Sequence, residues 1–508
     1  MRNFLFFILL VLSQGLTMAQ GYSDHAKQTT RLQALAKSNP QLAKLRSLVK
    51  TAGGKDVWQL TIGTGKLDEK PAIVVVGGVE GNHILGTELA IGFAESVLSG
   101  SSTDSIKALL EKTTFYVFPN MSPDAMEQYF AALKYERQGN AVATDDDRDG
   151  KLNEDGFDDL DGNGKITWMR VESPIGDHKP HPDDPRVMVK ADLSKGEKGR
   201  YLILLEGRDN DKDGQFNEDG EGGVQFNRNF TYKHPSFTPG SGEMPVSELE
   251  TRALADYLFE RSNVFAILSF GTGNNLSTPI TFNPLAVSQT IITGWLEADT
   301  KVNAMVSDLY NKTTGYKDAP KTGPLGGDFL SWGYFHFARY SFSTPGWWVP
   351  KTKPDSTKNE KAFTLDDAAA NFLRWTAQQG ISDVFTEWKA VEHPDFPGQK
   401  VEVGGILPFS MNTPPYKLIP DIVKKNTSFV LKMAGLQPQL DLVNLKTEKL
   451  ANGLTRVTVD IVNKGAFASH SKLGERSYWV KRVTVKLNTG GNQSVVSGKK
   501  NQVLSSMD

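Results

Sequence analysis

The chain has 508 residues, 57 Lys+Arg against 59 Asp+Glu for a formal net charge of −2, 39% hydrophobic residues and no cysteine. That length accommodates one large domain with a smaller companion. The near-neutral balance argues against broad electrostatic capture of nucleic acid or an anionic membrane, and the missing cysteines exclude disulfides, thiolate metal sites and cysteine nucleophiles.

At the N-terminus, Arg2, an apolar run over 4–12 and the small-residue stretch Thr17-Met18-Ala19 form the pattern of a secretory signal peptide, residues 1–19. The run is too short to span a bilayer as a helix, and the alternative reading is a single N-terminal anchor. Leu32, Leu35, Leu42, Leu45, Leu48 and Val49 recur at helical spacing over 31–51, interrupted at Asn39-Pro40. Residues 57–62 alternate like a strand. Ile73-Val74-Val75-Val76 is a continuous β-branched run, which suits a strand buried on both faces of a mainly parallel sheet. Gly77-Gly78 ends it, 85–98 reads as a helix, and 114–118 and 264–270 read as further buried strands.

The alternation predicts an α/β domain over 22–390: a mixed, mainly parallel sheet flanked by helices. Ligands of such sheets bind beyond the carboxyl ends of the strands, so function is expected just after Val76, Phe118 and Phe270. From 137 to 223 Asp, Asn and Gly become dense, which marks an insertion. Residues 391–436 connect to a small all-β, sandwich-like unit over 437–508, with strands at 440–445, 454–462 and 478–487 and a turn at Asn452-Gly453.

The insertion contains a near-identical repeat. Asp145, Asp147 and Asp149 precede Gly150 and run on to Glu154-Asp155-Gly156; Asp209, Asp211 and Asp213 precede Gly214 and run on to Glu218-Asp219-Gly220. Asp159, Asp161 and Asn163 before Gly164 are a partial third copy. Oxygen side chains at positions 1, 3 and 5 followed by a turn glycine are what a calcium loop requires. Position 12 is Gly156 or Gly220, so the closing ligand has to come from Glu154, Asp155, Glu218, Asp219 or another loop. The expectation is structural calcium; a solvated acidic loop without an ion is the alternative.

Four motifs carry a family resemblance. Gly77-Gly78-Val79-Glu80-Gly81-Asn82-His83 follows the buried strand, Pro119-Asn120-Met121-Ser122-Pro123-Asp124 comes next, then Gly223-Val224-Gln225-Phe226-Asn227-Arg228-Asn229-Phe230, and finally Gly326-Gly327 through Trp332 to Phe342. Over roughly residues 25–390 the chain resembles the M14 zinc carboxypeptidases. The resemblance implies zinc held by two His and one Glu, a glutamate base and an Asn-Arg pair gripping the terminal carboxylate of a peptide. It places Glu80 and His83 at the first two ligand positions, with their identities exchanged. The third ligand position falls on Gly271 and the base on Pro345, neither able to serve. Asn227 and Arg228 match the carboxylate-binding pair, with a structural ion pair as the alternative for Arg228. Arg170 matches the arginine that stabilises an oxyanion. His178 and His181 read as loop residues rather than ligands, and His336 as a stand-in near the missing base.

Without a third ligand and a base, water is not activated and the carbonyl is not polarised. The leading expectation is therefore a secreted or periplasmic protein that binds peptide C-termini and hydrolyses them poorly or not at all. The alternatives are an active zinc carboxypeptidase with a rearranged site, and a calcium-stabilised surface or assembly module.

Overall fold

The computed structural model describes residues 21–146, 148–320, 322–323, 325–354, 361–363 and 367–507. The expected signal peptide over 1–19 and Asp147 lie outside the described residues. The main sheet has six strands in the order β1-β2-β4-β3-β9-β10: β1 Ala43–Lys50, β2 Asp56–Ile62, β3 Ala72–Val76, β4 Thr114–Phe118, β9 Val264–Phe270 and β10 Tyr340–Thr344. Strands β4, β3, β9 and β10 are mutually parallel, while β1 and β2 add an antiparallel edge.

The β-branched run of β3 is buried at every residue. Ile73 and Val75 face a core shared with the helices Ile84–Ser99, Glu297–Thr314 and Ile419–Ala434. Val74 and Val76 face a second core with Leu254, Leu258, Phe329 and Trp332. Two covered faces explain why the strand carries no polar alternation.

Part of the N-terminal reading is corrected. The helix is His25–Ser38, capped by the Asp24 side chain accepting from the Lys27 N–H, and the chain from Ala43 onward is strand β1. Asn39-Pro40 ends the helix, because a residue before proline is pushed out of helical conformation. Leu45 pairs with Leu60 of β2, Leu48 falls at the register break between Ser47 and Val49, and Leu42 directly precedes the strand.

The insertion is built around a second, fully antiparallel sheet in the order β11-β12-β5-β8-β6-β7. Its strands are β5 Trp168–Glu172, β6 His178–Pro180, β7 Met188–Lys190, β8 Tyr201–Leu205, β11 Phe385–Val391 and β12 Val401–Ile406. Met169 and Val171 of β5 pack with Val401 and Val403 of β12 in its core. Residues 391–436 thus do more than connect: they supply β12, and Phe429, Val430 and Met433 enter the main core.

At the C-terminus, β13 Leu440–Lys449 pairs with β14 Thr455–Asn463, and β15 Thr484–Lys486 with β16 Asn501–Val503. The all-β character holds, as two separate two-stranded sheets. Strand β13 is exposed at nearly every residue. No described helix is long and apolar enough to cross a membrane.

Candidate functional site

The chain leaves β3 through Gly77 and Gly78. A Cβ on Gly77 would meet the carbonyl oxygens of Gly86 and Pro119 at 2.4 and 2.5 Å, and Gly78 has φ +59°. Both glycines are required by this close approach and left-handed turn. The turn throws Glu80 inward, where it is 7% exposed.

Glu80 is already satisfied. Its Oε1 accepts from Asn227 Nδ2 at 2.7 Å and from Thr272 Oγ1 at 2.8 Å. The Thr272 N–H lies 3.2 Å from both carboxylate oxygens. Burial pushes the Glu80 carboxyl up to about 7; these hydrogen bonds pull it down, and nearby Asp328 adds a raising contribution. A Cβ built on Gly271 would meet Glu80 Oε2 at 2.6 Å and Val79 Cγ2 at 2.3 Å. The Glu80 carboxylate therefore lies in the space that a side chain at 271 would enter.

His83 is 2% exposed. Its ring lies by the carbonyls of Phe270 and Pro345, and burial lowers its pKa to about 4. Neither ring nitrogen reaches hydrogen-bond geometry with a described residue. No side-chain hydrogen bond joins it to Glu80 among the described residues, although the His83 backbone N–H donates to the Glu80 carbonyl at 3.1 Å.

Asn227 is committed at both ends of its amide, donating to Glu80 and accepting from the Phe329 N–H at 2.8 Å. It ties Glu80 to the helix Phe329–Phe335, whose N-cap Asp328 accepts from the Ser331 N–H at 2.7 Å. Arg228 differs. It is half-buried, has no carboxylate within ion-pair distance among the described residues, and its Nε is buried without a hydrogen-bond partner. The structural ion pair considered from sequence is not formed with them.

Three neighbours carry no motif signal. Thr272, directly after the missing ligand position, holds Glu80. Asp328 contributes charge. Glu136 accepts from Asn82 Nδ2 at 2.9 Å and from the Phe409 N–H at 2.8 Å, and it lines a cavity of about 740 Å³ together with Trp168, Arg186 and Trp388. Only the position of Thr272 at the end of β9 was available from sequence.

These residues do not fit a catalytic zinc. Such a site needs three protein ligands around an open position. Gly271 offers none, Glu80 is taken up by Asn227 and Thr272, and Pro345 stands at the end of β10, where the base is expected. No group of three metal-ligating side chains among the described residues includes Glu80 or His83.

Arg170 is located elsewhere. On β5 its Nε donates to Glu402 Oε2 at 2.9 Å, and its guanidinium stacks over Trp388 at 4.3 Å. It makes no contact with Glu80, His83 or Arg228 among the described residues. His178 pairs with Asp177, His181 with Asp367, and His336 with Thr231 Oγ1. Trp347 packs against Trp375.

Among the described residues, the acidic loops bring carboxylates together in three groups. Asp209, Asp211 and Asp213 bring ligand atoms within 4.8 Å of one another, as do Asp149, Glu154 and Asp211, and likewise Asp159, Asp161 and Glu206. Glu206 carries no signal in the sequence that places it in this group. It is fully buried and accepts from the Leu160 N–H, the Thr167 N–H and Thr167 Oγ1, each at 2.9 Å. In the partial copy the Asn163 N–H donates to Asp159 Oδ1 at 3.0 Å. Desolvation first, then neighbouring carboxylates, push Glu154 and Glu218 up to about 7. Asp145 uses one oxygen on the Gly150 N–H, and the other has no partner among the described residues.

Fold and site together define a carboxypeptidase-like α/β protein. The zinc carboxypeptidase family model, Peptidase_M14, matches residues 29–184, and a domain of unknown function, DUF8731, matches 439–508. Carboxypeptidase E of Caenorhabditis elegans is 27% identical over 122 residues, 23% of this chain and 26% of that protein. A zinc carboxypeptidase of Saccharothrix mutabilis subsp. capreolus is 26% identical over 138 residues, 25% of this chain and 32% of that protein. These matches span at most about a third of those relatives' length. A crystal structure of thrombin activatable fibrinolysis inhibitor superposes over 81% of this chain and 73% of its own, with 13% identity and a TM-score of 0.46. The chain is M14 carboxypeptidase-like.

Proposed function

We propose that the chain is a secreted or periplasmic M14 carboxypeptidase-like protein that binds the carboxylate end of a peptide without hydrolysing it, its insertion stabilised by calcium. The observation that carries the reading is the Glu80 carboxylate over Gly271, tied down by Asn227 and Thr272 where the family's third ligand would project. Arg228 supplies the grip: a guanidinium accepts a carboxylate through two parallel charge-assisted bonds. Asn227 acts through Glu80 and positions rather than grips. The cavity beside Glu136, with Trp168 and Trp388 in its wall, offers room for upstream side chains.

The test compares a labelled peptide ending in a free carboxylate with its C-terminal amide. The free acid binds, amidation and Arg228→Ala each weaken binding by about 10–100-fold, as for a lost charged hydrogen bond, and the peptide remains intact when zinc is added. Equal binding of acid and amide overturns the grip. The rival reading, an active metallocarboxypeptidase, is favoured by the buried His83 ring, neither of whose nitrogens reaches hydrogen-bond geometry with a described residue. One equivalent of zinc together with zinc-dependent release of C-terminal residues would establish it. If neither peptide nor zinc binds, the surface-module reading stands.

A further inference from the structure

The two full acidic repeats are closed by each other. Their backbones match: φ is 70° at Arg148 and 71° at Lys212, 95° at both Gly150 and Gly214, and 57° at both Asn153 and Asn217. The aspartate that ends each repeat turns into its twin. Asp155, fully buried, accepts from the Asn210 N–H at 2.9 Å and the Asn217 N–H at 2.6 Å, both in the second repeat. Asp219 accepts from the Asp146 N–H, in the first repeat, at 3.3 Å.

The carboxylates follow the same exchange. Glu154 of the first repeat stands against Asp149 and against Asp219 of the second. Glu218 of the second stands against Asp213 and against Asp155 of the first. Asp211 lies in both groups, with Asp149 and Glu154 on one side and Asp209 and Asp213 on the other.

Independent of this clustering, the site contains buried oxygens with no hydrogen-bond partner among the described residues. Asp219 is 1% exposed, yet its Oδ2 has no partner among the described residues. Both oxygens of Glu154 and Oδ1 of Asp145 and Asp209 are buried in the same way. An uncompensated buried carboxylate is costly, and hard oxygens packed this closely suit a divalent cation. Asp155 keeps a second lone pair on each oxygen for a metal.

We infer that the insertion holds two coupled calcium positions, each completed by the other repeat: Asp219 closes the position of Asp145, Asp149 and Glu154, and Asp155 closes that of Asp209, Asp213 and Glu218. The inference rests on the calcium reading above and adds the wiring between the loops. It also gives the pair a task. Residues 145–155 precede β5 and 209–219 follow β8, two strands paired from Trp168↔Leu205 to Glu172↔Tyr201. Cation binding clamps the two chain ends entering and leaving that sheet.

The experiment is calorimetric titration of the chelator-stripped full chain with calcium chloride, on wild type and Asp→Asn variants. Wild type takes up two coupled equivalents besides one at the Asp159, Asp161 and Glu206 group. Asp219→Asn weakens the pair by about 10–100-fold, the range for losing a metal-site partner, and leaves the third equivalent, which shows that the variant is folded. Combined with Asp149→Asn, which acts at the same position, its effect departs further from additivity than combined with Asp213→Asn, which acts at the other. The reverse pattern, or two positions titrating independently, overturns the reciprocal closure and leaves the calcium reading intact. Uptake only at the Asp159 group also overturns the closure. No uptake at all overturns both.

Discussion

The Glu80 pocket and the acidic insertion treat buried carboxylates in opposite ways. In the pocket, one carboxylate meets an amide, a hydroxyl and a backbone N–H, so its charge is answered by the protein itself. In the insertion, oxygens of Asp145, Glu154, Asp209, Glu218 and Asp219 are buried with no donor among the described residues. A carboxylate supplied with donors has little to gain from a cation, whereas clustered carboxylates without donors remain in place only if something positive arrives. On the proposed reading, the family's metal chemistry is opposed where its motifs lie, and a different cation is favoured where they do not.

The largest expected effect lies on the unsatisfied side. Removing calcium should destabilise the chain by about 2.7 kcal/mol per ion when the free ion had stood at a hundredfold excess over its Kd. Thermal unfolding with and without a chelator reads this directly. A curve that does not move would erase the contrast, because both regions would then be self-sufficient.

The pocket predicts a pH signature next in size. Glu80 is raised from 4.5 to about 7, so the folded state holds a proton that the unfolded chain has released, and stability falls as pH rises between those values. His83 is lowered from 6.5 to about 4, so the unfolded chain binds the proton first, and stability rises over that interval. Each contribution is roughly 3 kcal/mol from the size of its shift, and across about pH 4.5–6.5 they oppose each other. Glu80→Gln removes one. Its stability relative to wild type should therefore climb with pH from about 4.5 to 7, as followed by urea unfolding at successive pH values. A constant difference would mean that Glu80 stays ionised through the range and that its donors outweigh burial.

A smaller effect tests those donors. Thr272→Val removes the hydroxyl but keeps the backbone N–H, and it should cost about 1–3 kcal/mol, the range for stripping a partner from a buried polar group. A cost well below that at pH 8, where the carboxylate is charged, would show that the Glu80 carboxylate is less dependent on the protein than the contrast requires.

How far the sequence revealed all this depends on how local each feature is. The β3, β4 and β9 runs were legible because burial on both faces leaves an unbroken apolar signal in five to seven consecutive residues. Strand β1 was not, because it is an edge whose leucines also fit a helical period. The second sheet was hidden because β5 pairs with β12 across more than two hundred residues. In the site, Gly271 and Pro345 could be read by counting along the motifs. The grip of Thr272 on Glu80, the burial of Glu206 and the exchange of Asp155 and Asp219 exist only once distant segments meet.

The finest test sets the two repeats against each other, because they differ at one telling position. Lys151 in the first donates to Asp149 Oδ2 at 2.6 Å, where the second has Gln215 donating to Asp213 Oδ2 at 2.8 Å. The lysine is a positive charge already seated on a prospective calcium ligand, so a cation entering the first position must displace it. An exposed pair of this kind is weak and screened by solvent, so its displacement changes affinity by a few-fold at most. Lys151→Gln, which makes the first repeat resemble the second, should tighten the weaker calcium position by that factor and barely change the melting temperature of the stripped protein. Weaker binding in this variant would mean that Lys151 helps to hold Asp149 in place for the ion instead of competing with it.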